Sequence, residues 1–124
     1  MSNIQINDNK MKNTSYYLTK DGRKIPSSVL HKLAEGLPSF DLPITEDIIT
    51  SKLHWIKENV WDIVVHLRKV ENADLYYPII LNSKGSIIDG WHRVVKSVIN
   101  DYETIKAVQL TKKLEERIDH GSKI

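Results

Sequence analysis

Five consecutive residues, "DGWHR" from Asp89 to Arg93, bring together an acid, a glycine, an imidazole and a guanidinium, with Lys96 one helical turn further on. A guanidinium offers a planar fork that binds phosphate or carboxylate through two hydrogen bonds, and a lysine adds a point charge. An imidazole can supply a hydrogen bond or a proton near neutral pH. A carboxylate beside a glycine can cap a helix or contact a metal-bound nucleotide. The combination suits the binding of an anion, above all a phosphate.

A helix start must position these groups. Trp91, Val94, Val95, Val98 and Ile99 follow one another at helical spacing, which predicts a helix with a buried stripe headed by Trp91. A rotation of about 100° per residue then turns His92, Arg93 and Lys96 away from the core as a basic cluster on the first turn. Backbone N–H groups there lack intrahelical partners, and the helix dipole adds partial positive charge. Gly90, without a Cβ, lets another group approach the main chain, as phosphate does at other strand-to-helix junctions. A plainer reading stands beside this one: Asp89 caps the helix or pairs with Arg93 four residues on, and Gly90 only permits the turn.

The flanking segments predict alternating strands and helices. "YYPIIL" reads as a buried strand, "NSKG" as a turn, "SIID" as a second strand and "YETIKAVQL" as a third. Upstream, Val60, Ile63, Val64, Leu67 and Val70 define the core face of a long helix that packs on a sheet, with Trp61 and Val65 widening it. Asp62, His66 and Lys69 fall on its exposed side as a solvated charge face. Arg68 lies at the edge of the apolar face, either reaching the ligand cleft or covering apolar surface with its stem. Asp74, just before the strand, serves as a supporting group or as a helix-end residue.

Nearer the N-terminus, "PSSVLHKLAEG" predicts a short helix capped by Ser27 or Ser28 and stopped by Gly36, and "SFDLPIT" an edge strand. "TEDIITSKLHWIKENV" reads as helical. Asp21-Gly22 fits a tight hairpin turn. The chain divides into a polar N-terminal tail with a hairpin over 1–25, one α/β domain over 26–110 and a charged tail or helix over 111–124.

Bulk composition narrows the field. The 124 residues are 40% hydrophobic and 27% charged, the balance of one soluble domain. No apolar run approaches the roughly 20 residues that span a bilayer, and the N-terminus lacks a signal-type apolar region, so a cytoplasmic, non-membrane protein is expected. A formal charge of +2 permits nucleic-acid binding without indicating it. Cysteine is absent, which removes disulfides, thiolate metal sites and cysteine nucleophiles. His31, His54, His66 and His120 show no metal-ligand spacing, and neither a Walker loop nor a G-x-S-x-G serine is present.

The stretch "YPIILNSKGSIIDGWHRVVKSVINDYETIKAVQL" resembles the ParB/sulfiredoxin-like superfamily, in particular small single-domain members with a DGxHR loop. The resemblance runs from about Phe40 to Leu110 and is most specific at Gly90, His92 and Arg93. It implies an α/β domain with a small mixed sheet packed with helices, and a loop holding nucleotide phosphates. Gly90, His92 and Arg93 would then be phosphate ligands, with ATP, ADP or CTP as the nucleotide and Mg2+ reached through Asp89.

The departures matter equally. Trp91 stands where sulfiredoxins carry the nucleophilic cysteine, which excludes sulfinic-acid reduction by that route. Nothing after Leu110 resembles the asparagine-arginine motif or helix-turn-helix of partition ParB proteins, and Lys96 replaces a small residue of their loop. Free serine kinases carry a similar loop, but their catalytic glutamate has no assigned counterpart, Glu46 and Glu58 lying in the right upstream region.

The expectation is therefore a nucleotide- or phosphate-binding domain, with phosphoryl transfer or hydrolysis open. Its ligand set is Gly90, His92, Arg93, Lys96 and Arg68, and His92 and Asp89 are the candidates for catalysis. Two alternatives come from other classes. One is a DNA-associated accessory or nuclease-like protein in which Arg93 and Lys96 contact backbone phosphates. The other is a non-catalytic, protein-binding regulator of phage or mobile-element origin. A homodimer is compatible with each.

Overall fold

Strand β4, Ile79–Leu81, has every residue buried, and the alternation of its side chains explains why. In the computed structural model, which describes residues 16–51, 53 and 59–121, Ile80 points to one side of a four-stranded sheet and Ile79 and Leu81 to the other. A strand covered on both faces reads as a continuous apolar run. The sheet order is β3 (Phe40–Pro43), β6 (Thr104–Gln109), β4, β5 (Ile87–Asp89). β6 runs parallel to β4 and antiparallel to β3, while β5 is antiparallel to β4, so the sheet is mixed. Pro43 ends β3, an edge strand, where its missing N–H costs the ladder nothing.

On one face, Ile80 and Val108 pack with Leu30 and Ala34 around helix α1 (Ser27–Leu33), and with Ile118 of the C-terminal helix α5 (Lys112–Asp119). Ile25, from the antiparallel hairpin β1 (Tyr16–Leu18) and β2 (Lys24–Pro26), joins the same cluster. The hairpin and α5 are thus part of the packed unit. Tyr17 donates its hydroxyl to the buried Asp119 at 2.6 Å, and Arg23 Nη2 donates to the Ile118 carbonyl at 2.5 Å. The Asp21-Gly22 turn falls where expected, with Gly22 at φ 89°.

On the other face lie α2 (Glu46–Thr50) and α4 (Trp91–Ile99), and α3 (Val60–Asn72) lies against α4. Val94 of α4 is buried with Ile79, Leu81, Ile105 and Ala107, and Trp91 packs half-buried against them. Ser97 occupies the centre of the buried stripe, and Ile99, expected within it, is exposed. α2 is only five residues long, and the rest of the helix expected there, including His54, Trp55 and Glu58, lies outside the described residues.

Helix α3 corrects the sequence reading. It packs chiefly on α4, not on the sheet, and buries Val65 and Val70 with Trp61, His66 and Lys69 half-buried beside them. Of the expected core stripe only Val70 is buried; Val60, Ile63, Val64 and Leu67 are 76%, 39%, 38% and 53% exposed. Periodicity finds an apolar stripe but cannot tell whether the chain itself covers it. No helix among the described residues is long and apolar enough to cross a membrane.

Candidate functional site

The C-terminal end of β5 delivers Asp89, and Gly90 then turns the chain into α4 with φ 104°, a left-handed conformation. Gly90 is required there for a packing reason as well. A Cβ at this position would stand 2.6 Å from Cγ2 of Ile79 and 3.0 Å from Nη1 of Arg93. The group that approaches the main chain on its side-chain face is therefore the protein's own β4. The Gly90 carbonyl accepts from the N–H of both Arg93 (2.9 Å) and Val94 (3.1 Å), closing the first turn.

Asp89 does not cap this helix, since no side chain bonds to the N-terminus of α4. Its Oδ1 accepts from the Ser27 hydroxyl at 2.6 Å, and its Oδ2 lies 2.7 Å from His31 Nε2 and 3.8 Å from Arg93 Nη1. Ser27 and His31 stand one turn apart on α1 and so face Asp89 together. Burial opposes ionisation of Asp89, but hydrogen bonds from His31 and Ser27 and the nearby Arg93 charge outweigh it. The carboxyl is held below its ordinary range.

Arg93 is half-buried. Its Nη1 donates to the Pro78 carbonyl at 3.0 Å, and Nη2 lies 3.4 Å from His31 Nε2. An ionised carboxylate only accepts, so the proton of His31 Nε2 points at Asp89 and that nitrogen has no lone pair for Arg93. Arg93 Nη2 keeps donor capacity for another acceptor. Burial lowers its pKa, with Asp89 and Asp74 opposing.

Ser27, Asp89, Gly90 and Arg93 line a cleft of about 340 Å³ with Lys69, Asp74, Tyr77 and His92, whereas His31 borders a neighbouring one. Lys69 was assigned to a solvated face; instead it is half-buried, desolvation lowers its pKa, and no described carboxylate pairs with it. His66 leaves that face too, with Nδ1 2.9 Å from His92 Nε2 and the rings nearly parallel at 11°. His92 is pushed down to about 4 by burial first, then by Lys69 and His66, with Asp89 opposing. At neutral pH it is an uncharged hydrogen-bonding group, not a member of a cationic cluster.

Two expected ligands are placed elsewhere. Lys96 Nζ donates to the carbonyls of Glu71 (3.0 Å) and Ala73 (2.7 Å), where it caps the C-terminus of α3 and complements its dipole. Arg68 is exposed and lines no part of the cleft, because the rotation of α3 that buries Val65 brings the neighbouring Lys69 inward instead. Asp74 accepts from the Tyr76 N–H at 2.9 Å and stabilises the turn into β4, while also facing the cleft. Glu46 is exposed in the first turn of α2.

Ser27, His31, His66, Lys69 and Tyr77 were not foreseen as site residues. Only the i, i+4 spacing of Ser27 and His31 hinted at a shared face, and nothing in the sequence tied that face to Asp89. Both Asp89 oxygens are engaged by Ser27 and His31, so the residues present do not fit a Mg2+ ion held directly by Asp89. Among the described residues no group of three or more His, Asp or Glu is placed to hold a metal. Comparison with protein-family models, with curated proteins and with solved structures finds no match.

Proposed function

We propose that the chain is a cytoplasmic phosphate-binding domain of ParB/sulfiredoxin-like type whose ligand is a nucleotide. One observation carries this reading: Lys69, half-buried and without a carboxylate partner among the described residues, shares a cleft with Arg93 at the start of α4. A lysine withdrawn from water with no carboxylate beside it among the described residues, next to a guanidinium only partly neutralised by Asp89, favours an anionic ligand. Neutral His92 adds hydrogen bonding without further charge. Tyr77 borders both this cleft and a larger one of about 480 Å³, so a ligand larger than phosphate has room to extend from one into the other.

The test is thermal stabilisation by ATP, ADP, CTP, GTP and inorganic triphosphate, for the wild type and for Arg93→Met and Lys69→Met. A ligand that binds only the folded state at about 100 times its Kd stabilises by about 2.7 kcal/mol. Both variants lose most of that shift on this reading. No response of the wild type to any of these ligands at millimolar concentration rejects it.

The exposed stripe Val60, Ile63, Val64 and Leu67 favours a second reading, a protein-binding regulator that uses α3 as its docking face. That reading expects no nucleotide response and a self- or partner-association abolished by Leu67→Glu. The DNA-associated alternative loses support, since Lys96 is committed to the end of α3.

A further inference from the structure

We propose that His31, oriented by Asp89 at the border of the two adjoining clefts, is a catalytic proton acceptor and activates water for attack on the terminal phosphorus of a bound nucleoside triphosphate. The inference rests on the nucleotide-binding reading and adds to it a reaction and the base that DGWHR itself does not supply.

The geometry assigns the tautomer. Asp89 receives Ser27 on one oxygen and His31 Nε2, at 2.7 Å, on the other. Because the carboxylate is ionised, Nε2 carries the proton, and in the neutral ring the lone pair resides on Nδ1, away from Asp89. His31 borders the 480 Å³ cleft, which adjoins the phosphate cleft along Tyr77. The imidazole also sits beside the phosphate anchor, with its Nε2 3.4 Å from Arg93 Nη2. A carboxylate that fixes a histidine tautomer and stabilises the imidazolium formed on the other side is an established arrangement for general-base catalysis. Ser27 holds the remaining Asp89 oxygen, so the carboxylate is fixed from both sides. Asp89 and Ser27 are positioning residues here.

In the step, a water molecule gives one proton to His31 Nδ1 while its oxygen forms a bond to the terminal phosphorus. The bond from that phosphorus to the bridging oxygen breaks, and the electron pair leaves with the nucleoside diphosphate. Arg93 and Lys69 face the charge that develops, a role suited to their preset positions. The imidazolium, stabilised by Asp89, then returns its proton to solvent. The products are a nucleoside diphosphate and inorganic phosphate.

The experiment measures phosphate release from ATP, CTP and GTP together with ligand-induced thermal stabilisation, for the wild type, His31→Gln and His31→Ala. The glutamine amide can still donate to Asp89 but has no basic lone pair. His31→Gln is expected to keep the thermal shift and KM within about twofold and to lose about 100-fold or more in kcat. His31→Ala is equally slow, and added imidazole restores part of its turnover, which a merely structural histidine would not allow. Phosphate release by His31→Gln within about threefold of wild type overturns the assignment. So does a wild type that is stabilised by the triphosphates yet releases no phosphate, an outcome that leaves the binding reading intact. Absence of any stabilisation removes the binding reading and this inference with it.

Discussion

Gly90 and Ile79 leave no room for a side chain between them: a Cβ on Gly90 would lie 2.6 Å from Cγ2 and 2.9 Å from Cβ of Ile79. Ile79 is fully buried in a strand covered on both faces, so it has nowhere to retreat. Gly90→Ala therefore combines overpacking with left-handed backbone strain at φ 104°, for a combined cost of about 2–4 kcal/mol. The melting temperature of the variant is expected to fall by roughly 10 °C. Arg93 Nη1, 3.0 Å from the same Cβ, must also move, so the variant that remains folded loses ligand-induced stabilisation as well.

His92 makes stability depend on pH in a defined window. Its pKa in the folded chain is about 4 against an ordinary 6.5, so between these values the unfolded chain binds the proton and the folded chain does not. Stability contributed by the neutral ring is complete above pH 6.5 and is lost as pH falls to about 4. The upper bound is about 3 kcal/mol, reduced by solvent screening because the ring is only partly buried. Asp89, with a depressed pKa, contributes its own loss at lower pH, below the ordinary carboxylate value of 3.8. Melting curves from pH 4 to 7 are expected to slope in the wild type and flatten in His92→Gln. Equal slopes would mean that His92 titrates as an ordinary surface histidine.

Lys96 separates a structural role from a ligand role. Lys96→Met keeps the aliphatic stem and removes the ammonium that bridges the carbonyls of Glu71 and Ala73. A loss of about 0.5–2 kcal/mol is expected from the uncapped end of α3. Titration of the variant with the nucleotide that best stabilises the wild type is expected to give a Kd within about twofold. A tenfold weakening would return Lys96 to the phosphate site.

Much of the fold was legible because its strands and helices carry distinct periods. "YYPIIL", "SIID" and "YETIKAVQL" became β4, β5 and β6, and the stripe headed by Trp91 became α4. The site was legible only in part. Gly90, His92 and Arg93 are contiguous, so a local pattern brings them to one helix start. His31 and Ser27 reach Asp89 across 58 and 62 residues of sequence, and only the packing of α1 over the sheet brings them there. Lys69 was lost to the wrong choice of face on α3, and the same choice promoted Arg68. Lys96 was misread because a cation at a helix C-terminus and a cation at a phosphate site look identical in sequence.

The orientation of α3 gives a last prediction. Val65 and Val70 are buried against α4, whereas Leu67, although larger, is 53% exposed. Truncation cost follows burial and the cavity left behind, not residue size. Val65→Ala and Val70→Ala are each expected to cost about 2 kcal/mol in chemical denaturation. Leu67→Ala is expected to stay within about 0.5 kcal/mol, as surface substitutions do. A stability loss for Leu67→Ala that grows with protein concentration would show that a second copy covers the Val60, Ile63, Val64 and Leu67 stripe, since association stabilises only the folded chain. A loss of about 2 kcal/mol independent of concentration would instead place Leu67 in the core, as its spacing alone suggested.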